Sequence, residues 1–141
     1  MKPITQEEPM GCAIACVAFL LNTSYRVAKN MFKYPEHSFT RGFYCGEITN
    51  VLNKGGLNYT FYKFKKEHQK IINMSGVMVF TERNKNYPSG HFLVKTKNGW
   101  MNPWINFPHI VPSKSGFQKT LPGNIQWIIY PKNKVINLNK K

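Results

Sequence analysis

Residues 11–22, Gly11-Cys12-Ala13-Ile14-Ala15-Cys16-Val17-Ala18-Phe19-Leu20-Leu21-Asn22, decide the reading of this chain. The run carries no Pro, and its only Gly is the first residue. It is apolar on every side, which in a helix means central burial rather than one buried stripe. At ten apolar residues it is too short to cross a bilayer, which takes about 20. Upstream, Pro3 and Pro9 keep residues 1–10 extended. Downstream, a second helix is expected over 24–32, capped by Thr23 or Ser24, then a loop over 34–43. A third helix over 46–54 stops at Gly55-Gly56. From Leu57 the period changes. Aromatic and β-branched runs predict strands at 57–64, 76–81, 91–96, around 100–102, and 125–130, with a short helix at 67–74. Residues 83–90 read as a polar turn, and Lys97-Asn98-Gly99 as a hairpin turn. Residues 103–124, rich in Pro, read as irregular. Helices first and an antiparallel sheet after them make an α+β chain, N-terminal helices packed on a C-terminal sheet.

Composition narrows the chemistry. The chain has 141 residues, enough for one domain. Its 20 Lys+Arg face six acids, all of them Glu, for a net charge of +14. Without a single Asp there is no aspartic dyad, no Ser-His-Asp triad, no EF-hand and no Asp to hold Mg²⁺. The charge excess points to an anionic partner, nucleic acid or membrane surface. Lys outnumbers Arg seventeen to three, so forked recognition of phosphate is not what the composition favours. The lysines cluster modestly at Lys63-Lys65-Lys66, Lys132-Lys134 and Lys140-Lys141. Charges and prolines before the first apolar run give no secretory signal, so a soluble protein made in the cytoplasm is expected. Three cysteines, Cys12, Cys16 and Cys45, suggest neither a disulfide framework nor a zinc site, and no metal or cofactor is expected.

Four residues make a set. A cysteine hydrolase needs a thiolate, a base, a group that orients the base, and donors for an oxyanion. Cys12 opens the central helix, where free N–H groups and the dipole favour an anion. His91 starts a strand after Ser89-Gly90. Asn102 ends the strand paired with it, so a hairpin brings the two to one end of the sheet. Gln6 precedes Cys12 by six positions on extended chain, from where its amide N–H₂ is expected to reach the pocket where an oxyanion forms, beside the Cys12 backbone N–H. Cys16 lies one helical turn deeper and reads as core. Cys45 reads as structural and is a fallback nucleophile. His37, His68 and His109 sit in polar or loop contexts. Glu47 and Glu82 are substitute orienters for His91. Trp100 and Trp104 flank Asn102, either as sheet packing or as a shield over the His–Asn bond.

The set resembles the papain-like bacteriocin-processing peptidases, the double-glycine leader peptidases found in front of bacteriocin export transporters. Their Gln, five residues and a helix-start Cys read here as Gln6 through Cys12, followed by small and apolar residues. Their strand-opening His and later Asp-Pro read here as Gly90-His91-Phe92-Leu93-Val94 and Asn102-Pro103. The resemblance covers residues 1–131 as a papain-like domain and leaves 132–141 as a basic tail. It implies Cys12 as nucleophile, His91 as general base and acid, Asn102 as orienter and Gln6 as oxyanion donor, acting on a peptide or protein. Two departures stand out. Ala13 follows the nucleophile where the family has Gly, and Asn102 replaces Asp. A neutral orienter makes the thiolate lean on the helix dipole. Two other readings keep the fold. One is a toxin or effector of phage or mobile-element type, delivered to another cell, with another acyl, amide or nucleic-acid target. The other is a non-enzymatic basic module that binds nucleic acid through exposed rings at Tyr25, Tyr34, Tyr44 and Tyr62.

Overall fold

The computed structural model describes residues 1–109 and 112–132. Three helices, α1 (Cys12–Leu21), α2 (Tyr25–Met31) and α3 (Cys45–Lys54), come first. Six strands follow: β1 (Tyr59–Lys63), β2 (Met78–Thr81), β3 (His91–Thr96), β4 (Gly99–Asn102), β5 (Gly116–Gln118) and β6 (Ile125–Pro131). They form one antiparallel sheet in the order β1-β6-β2-β3-β4-β5. The fold is α+β, as the sequence predicts.

The central helix is buried continuously from Cys12 to Phe19. It ends where Asn22 turns left-handed at φ 56°, letting its N–H close on the Ala18 and Phe19 carbonyls. Ser24, not Thr23, caps α2, its Oγ accepting from Val27 N–H at 3.1 Å. Helix α3 begins at Cys45, one residue earlier than expected, because the Glu47 carboxylate accepts from Tyr44 N–H at 2.8 Å and fixes the first turn.

Strand alternation gives the sheet two apolar faces. Met78, Phe92, Val94, Met101 and Ile129 join the helices in the larger core. Val79, Leu93, Trp100, Ile128 and Tyr130 form a second core with Ile71 and Val77. Complete burial of branched and Met side chains on both faces, Met78, Met101 and Ile129 on one and Val79, Leu93 and Ile128 on the other, is the main stabilising term.

Three expectations change. The loop at 34–43 contains a 3₁₀ turn at Pro35–Phe39, and the helix expected at 67–74 is a 3₁₀ turn at Lys66–Lys70. The stretch 103–124 is not wholly irregular, since β5 pairs with β4 through Trp100↔Gln118, Met101↔Phe117 and Asn102↔Gly116. The basic tail lies, beyond Lys132, outside the described residues. Among the described residues no helix is long and apolar enough to cross a membrane.

Candidate active site

The N-terminus of α1 presents N–H groups that the helix itself does not use. The first intrahelical bond runs from Ala15 N–H to Gly11 C=O at 3.1 Å. The N–H groups of Cys12, Ala13 and Ile14 therefore have no partner within the helix. No side chain caps the helix and no acid stands in its first turn. Gly11 is required by close approach rather than by its backbone angle. A Cβ there would lie 2.0 Å from the Tyr25 hydroxyl, which donates to Glu8 at 2.7 Å. Glu8 in turn pairs with Lys29 at 3.3 Å.

Cys12 is 8% exposed and opens on a cleft of about 750 Å³. Glycines 42, 46 and 90 and the rings of Phe61, Phe80 and Trp127 are among the walls. Burial pushes its thiol up to about 11, against backbone hydrogen bonds from Phe92, Ala13 and Cys12 itself that favour the thiolate. The helix terminus acts in the direction the sequence suggested, but desolvation is larger. The thiol is protonated at neutral pH, which corrects the expectation of a resting thiolate.

His91 and Asn102 meet as the hairpin requires. The register Val94↔Met101 puts Leu93 opposite Asn102 and His91 two residues along on the same face. His91 Nε2 and Asn102 Oδ1 are 2.6 Å apart. The orientation of the Asn102 amide follows from its other partners. Trp104 N–H, which can only donate, reaches Oδ1 at 2.9 Å. The Tyr87 hydroxyl donates to Trp104 C=O at 2.7 Å, so it accepts from Asn102 Nδ2 at 3.0 Å. Gln118 Oε1 accepts the second Nδ2 hydrogen at 2.7 Å, while its own Nε2 donates to Thr120 C=O at 2.7 Å. With Oδ1 fixed as an acceptor, His91 donates from Nε2, and in the neutral ring its Nδ1 carries the lone pair. Burial holds His91 down at about 4, and the Asn102 bond offsets this only in part.

Two residues of this cluster escaped the sequence reading. The Tyr87 ring lies on the His91 imidazole, centroids 4.0 Å apart and planes within 7°. Asn84 aims it, accepting from the N–H groups of Asn86 and Tyr87 at 2.8 and 2.9 Å. Gln118 comes from the strand that was read as irregular. An Asx turn before the His strand was the available signal for Tyr87. Gln118 offered none, because only the β4–β5 pairing brings it in.

The remaining candidates separate. Cys12 sulfur reaches β3 at the Phe92 backbone, next to His91, and lies near Tyr87. Among the described residues no hydrogen bond joins its thiol to the His91 ring. Gln6 is 3% exposed, tied to the end of β4 by its N–H on Pro103 C=O at 3.2 Å. Its Nε2 donates to the Glu8 and Pro9 carbonyls at 3.0 and 3.1 Å, and its Oε1 is buried without a partner. Its amide hydrogens thus brace the loop before Cys12, so the donors beside the sulfur are main-chain ones. Glu47 is held by Arg41 at 2.9 Å and Glu82 takes Asn124 Nδ2 at 3.3 Å. Trp104 sits at the site, its N–H on Asn102, whereas Trp100 belongs to the second core. Cys16 is fully buried, and Cys45 shares the cleft with Cys12, its thiol pushed up to about 12 by burial. Neither a protein-family model nor a curated protein matches the chain.

Proposed function

We propose that the protein is a papain-like cysteine hydrolase that cleaves amide bonds in a peptide or protein. The observation that carries this reading is the 2.6 Å His91–Asn102 pair, which leaves Nδ1 as the base on the strand whose Phe92 backbone meets the sulfur of Cys12. His91 Nδ1 takes the Cys12 proton as sulfur attacks the carbonyl carbon. The oxyanion that forms is met by the N–H groups at the start of α1, which have no partner within the helix. His91 then passes the proton to the leaving amine as the C–N bond breaks, giving a thioester. Water, deprotonated by the same ring, attacks the thioester, and the thiol leaves with that proton. Asn102 acts through His91 and is its positioning residue.

A peptidyl vinyl sulfone tests this, because adduct formation needs both the sulfur and a proton from the base. Adduct on Cys12 in the wild type, lost in Cys12→Ala and slowed about a hundredfold in His91→Ala, is the expected result. Equal labelling of Cys12 with and without His91 would remove the base from the mechanism.

A further inference from the structure

The hydrolase site leaves the charge of +14 unused, and the fold gathers part of it in one place. Strand β1 is an edge of the sheet. Its partner β6 runs antiparallel, with Tyr59 opposite Pro131 and Lys63 opposite Trp127. Lys132, from a cluster far away in sequence, therefore lands at one end of β1, its N–H on Asn58 C=O at 2.9 Å. Lys63, Lys65, Lys66 and Lys70 stand at the other end, all exposed. The strand between them spans about 16 Å. Glu67 is the acid in that stretch.

Between the lysines lies a stack of rings. Tyr62 is 55% exposed. Its ring lies 6.2 Å from Tyr130 with planes 20° apart, and 6.2 Å from His68 with planes 25° apart. Phe64 and Tyr130 close around His68 at 5.9 Å each. Tyr130 is buried in the second core, so the stack is anchored rather than a loose side chain on the surface. Lysines on an edge strand also oppose strand addition. That accounts for charge and not for a supported ring with an open face.

We propose that this edge binds single-stranded nucleic acid, with the lysines along the phosphates and Tyr62 stacking on a base. A rigid ring costs little entropy when a base settles on it, and stacking tolerates any sequence. A lipid surface would draw on the lysines alike but gives a ring held against a second ring no base to stack on. The site does not depend on Cys12.

The test is fluorescence anisotropy of a fluorescein-labelled 20-mer of deoxythymidine, with circular dichroism to check each variant's fold. Five lysines predict a salt slope of about −3.5, a roughly hundredfold loss between 50 and 200 mM salt. Lys63, Lys65 and Lys66 changed together to Gln should flatten the slope by about 2 and weaken binding more than tenfold at the lower salt. A control with the same loss of charge, Lys85, Lys97 and Lys119 to Gln, should weaken it less than about threefold. Tyr62→Ala should cost at least about fivefold, and Tyr62→Phe should restore binding. Equal effects of the two lysine triples would overturn the proposal, leaving only diffuse attraction. So would an unaffected Tyr62→Ala, or a duplex of equal length that binds more tightly than the single strand. Binding to phosphatidylglycerol vesicles without binding to the oligonucleotide would overturn it in favour of a membrane.

Discussion

Asn102→Asp is the most informative single change, because it puts a charge beside the His91 ring in a chain that has no Asp. One carboxylate oxygen keeps the bonds from His91 and from Trp104 N–H, 2.6 and 2.9 Å in the native protein. The other replaces an amide that donated to Tyr87 Oη and Gln118 Oε1. Tyr87 can turn its hydroxyl towards the carboxylate, but Trp104 C=O then loses its donor. Gln118 can flip, but its Oε1 then faces Thr120 C=O, which now receives its Nε2 hydrogen. Every rearrangement leaves at least one acceptor against an acceptor, a cost of about 1–3 kcal/mol at pH 8. Against this, a carboxylate on the imidazole favours the protonated ring by about 1–3 pKa units. His91, held at about 4 in the native protein, should therefore titrate roughly between 5 and 7. The assay is the pH dependence of Cys12 labelling by the vinyl sulfone, alongside ¹⁵N shifts of the His91 ring. The acid limb should move up, while urea unfolding shows lower stability. Adding Gln118→Ala should recover part of that stability by removing the opposed acceptor. An acid limb that stays near 4 in Asn102→Asp would refute the claim that residue 102 sets the state of the base.

Two further outcomes follow from the same geometry. His91 is depressed to about 4 in the fold, against about 6.5 in the unfolded chain. Above pH 6.5 the ring is neutral in both states and the fold carries no penalty. As pH falls from 6.5 to 4 the unfolded chain takes up the proton first, and about 3 kcal/mol of stability is lost. His91→Gln should flatten this part of a urea-midpoint-versus-pH curve, and an unchanged curve would mean that another group is responsible. Gly90 has φ +78° and its Cβ would lie 2.2 Å from the Phe80 ring, while Gly56 has φ +95° with nothing within 4 Å. Gly56→Ala should cost about 1–2 kcal/mol from backbone strain, and Gly90→Ala a further 1–3 kcal/mol or so from overpacking beside the site. Equal unfolding free energies for the two variants would show that Phe80 yields without cost.

What the sequence disclosed, and what it hid, divides along contact range. Helix α1 was legible because ten consecutive residues carry the information, and the His91–Asn102 meeting was legible because one tight hairpin links them. Strand β5 was not. Its three residues, Gly116 to Gln118, hold no pattern of their own and become a strand by pairing with β4. Tyr87 and Gln118 were hidden for the same reason, since a polar turn and an irregular stretch converge on Asn102 only in three dimensions. The Cys12 thiol was misjudged in sign. The favourable helix terminus is visible in the sequence, but the burial that outweighs it depends on the α1–β3 contact.

The missing aspartate and the burial of the site act on the same quantity. In the resting protein burial pushes Cys12 up to about 11 and holds His91 down at about 4, so both shifts oppose moving the proton from thiol to ring. A preformed thiolate–imidazolium pair is therefore not the ground state. In the proposed hydrolysis, proton transfer would then accompany attack, as negative charge passes from sulfur to the carbonyl oxygen beside the α1 N–H groups. Among the described residues no acid acts on the His91 ring. Glu8 is committed to Tyr25 and Lys29, Glu47 to Arg41, and Glu82 to Asn124. A neutral orienter suits this arrangement, because a fixed charge beside a buried ring would stabilise the protonated base in the absence of substrate. Asn102, with both Nδ2 hydrogens and Oδ1 satisfied, fixes the tautomer without fixing the charge.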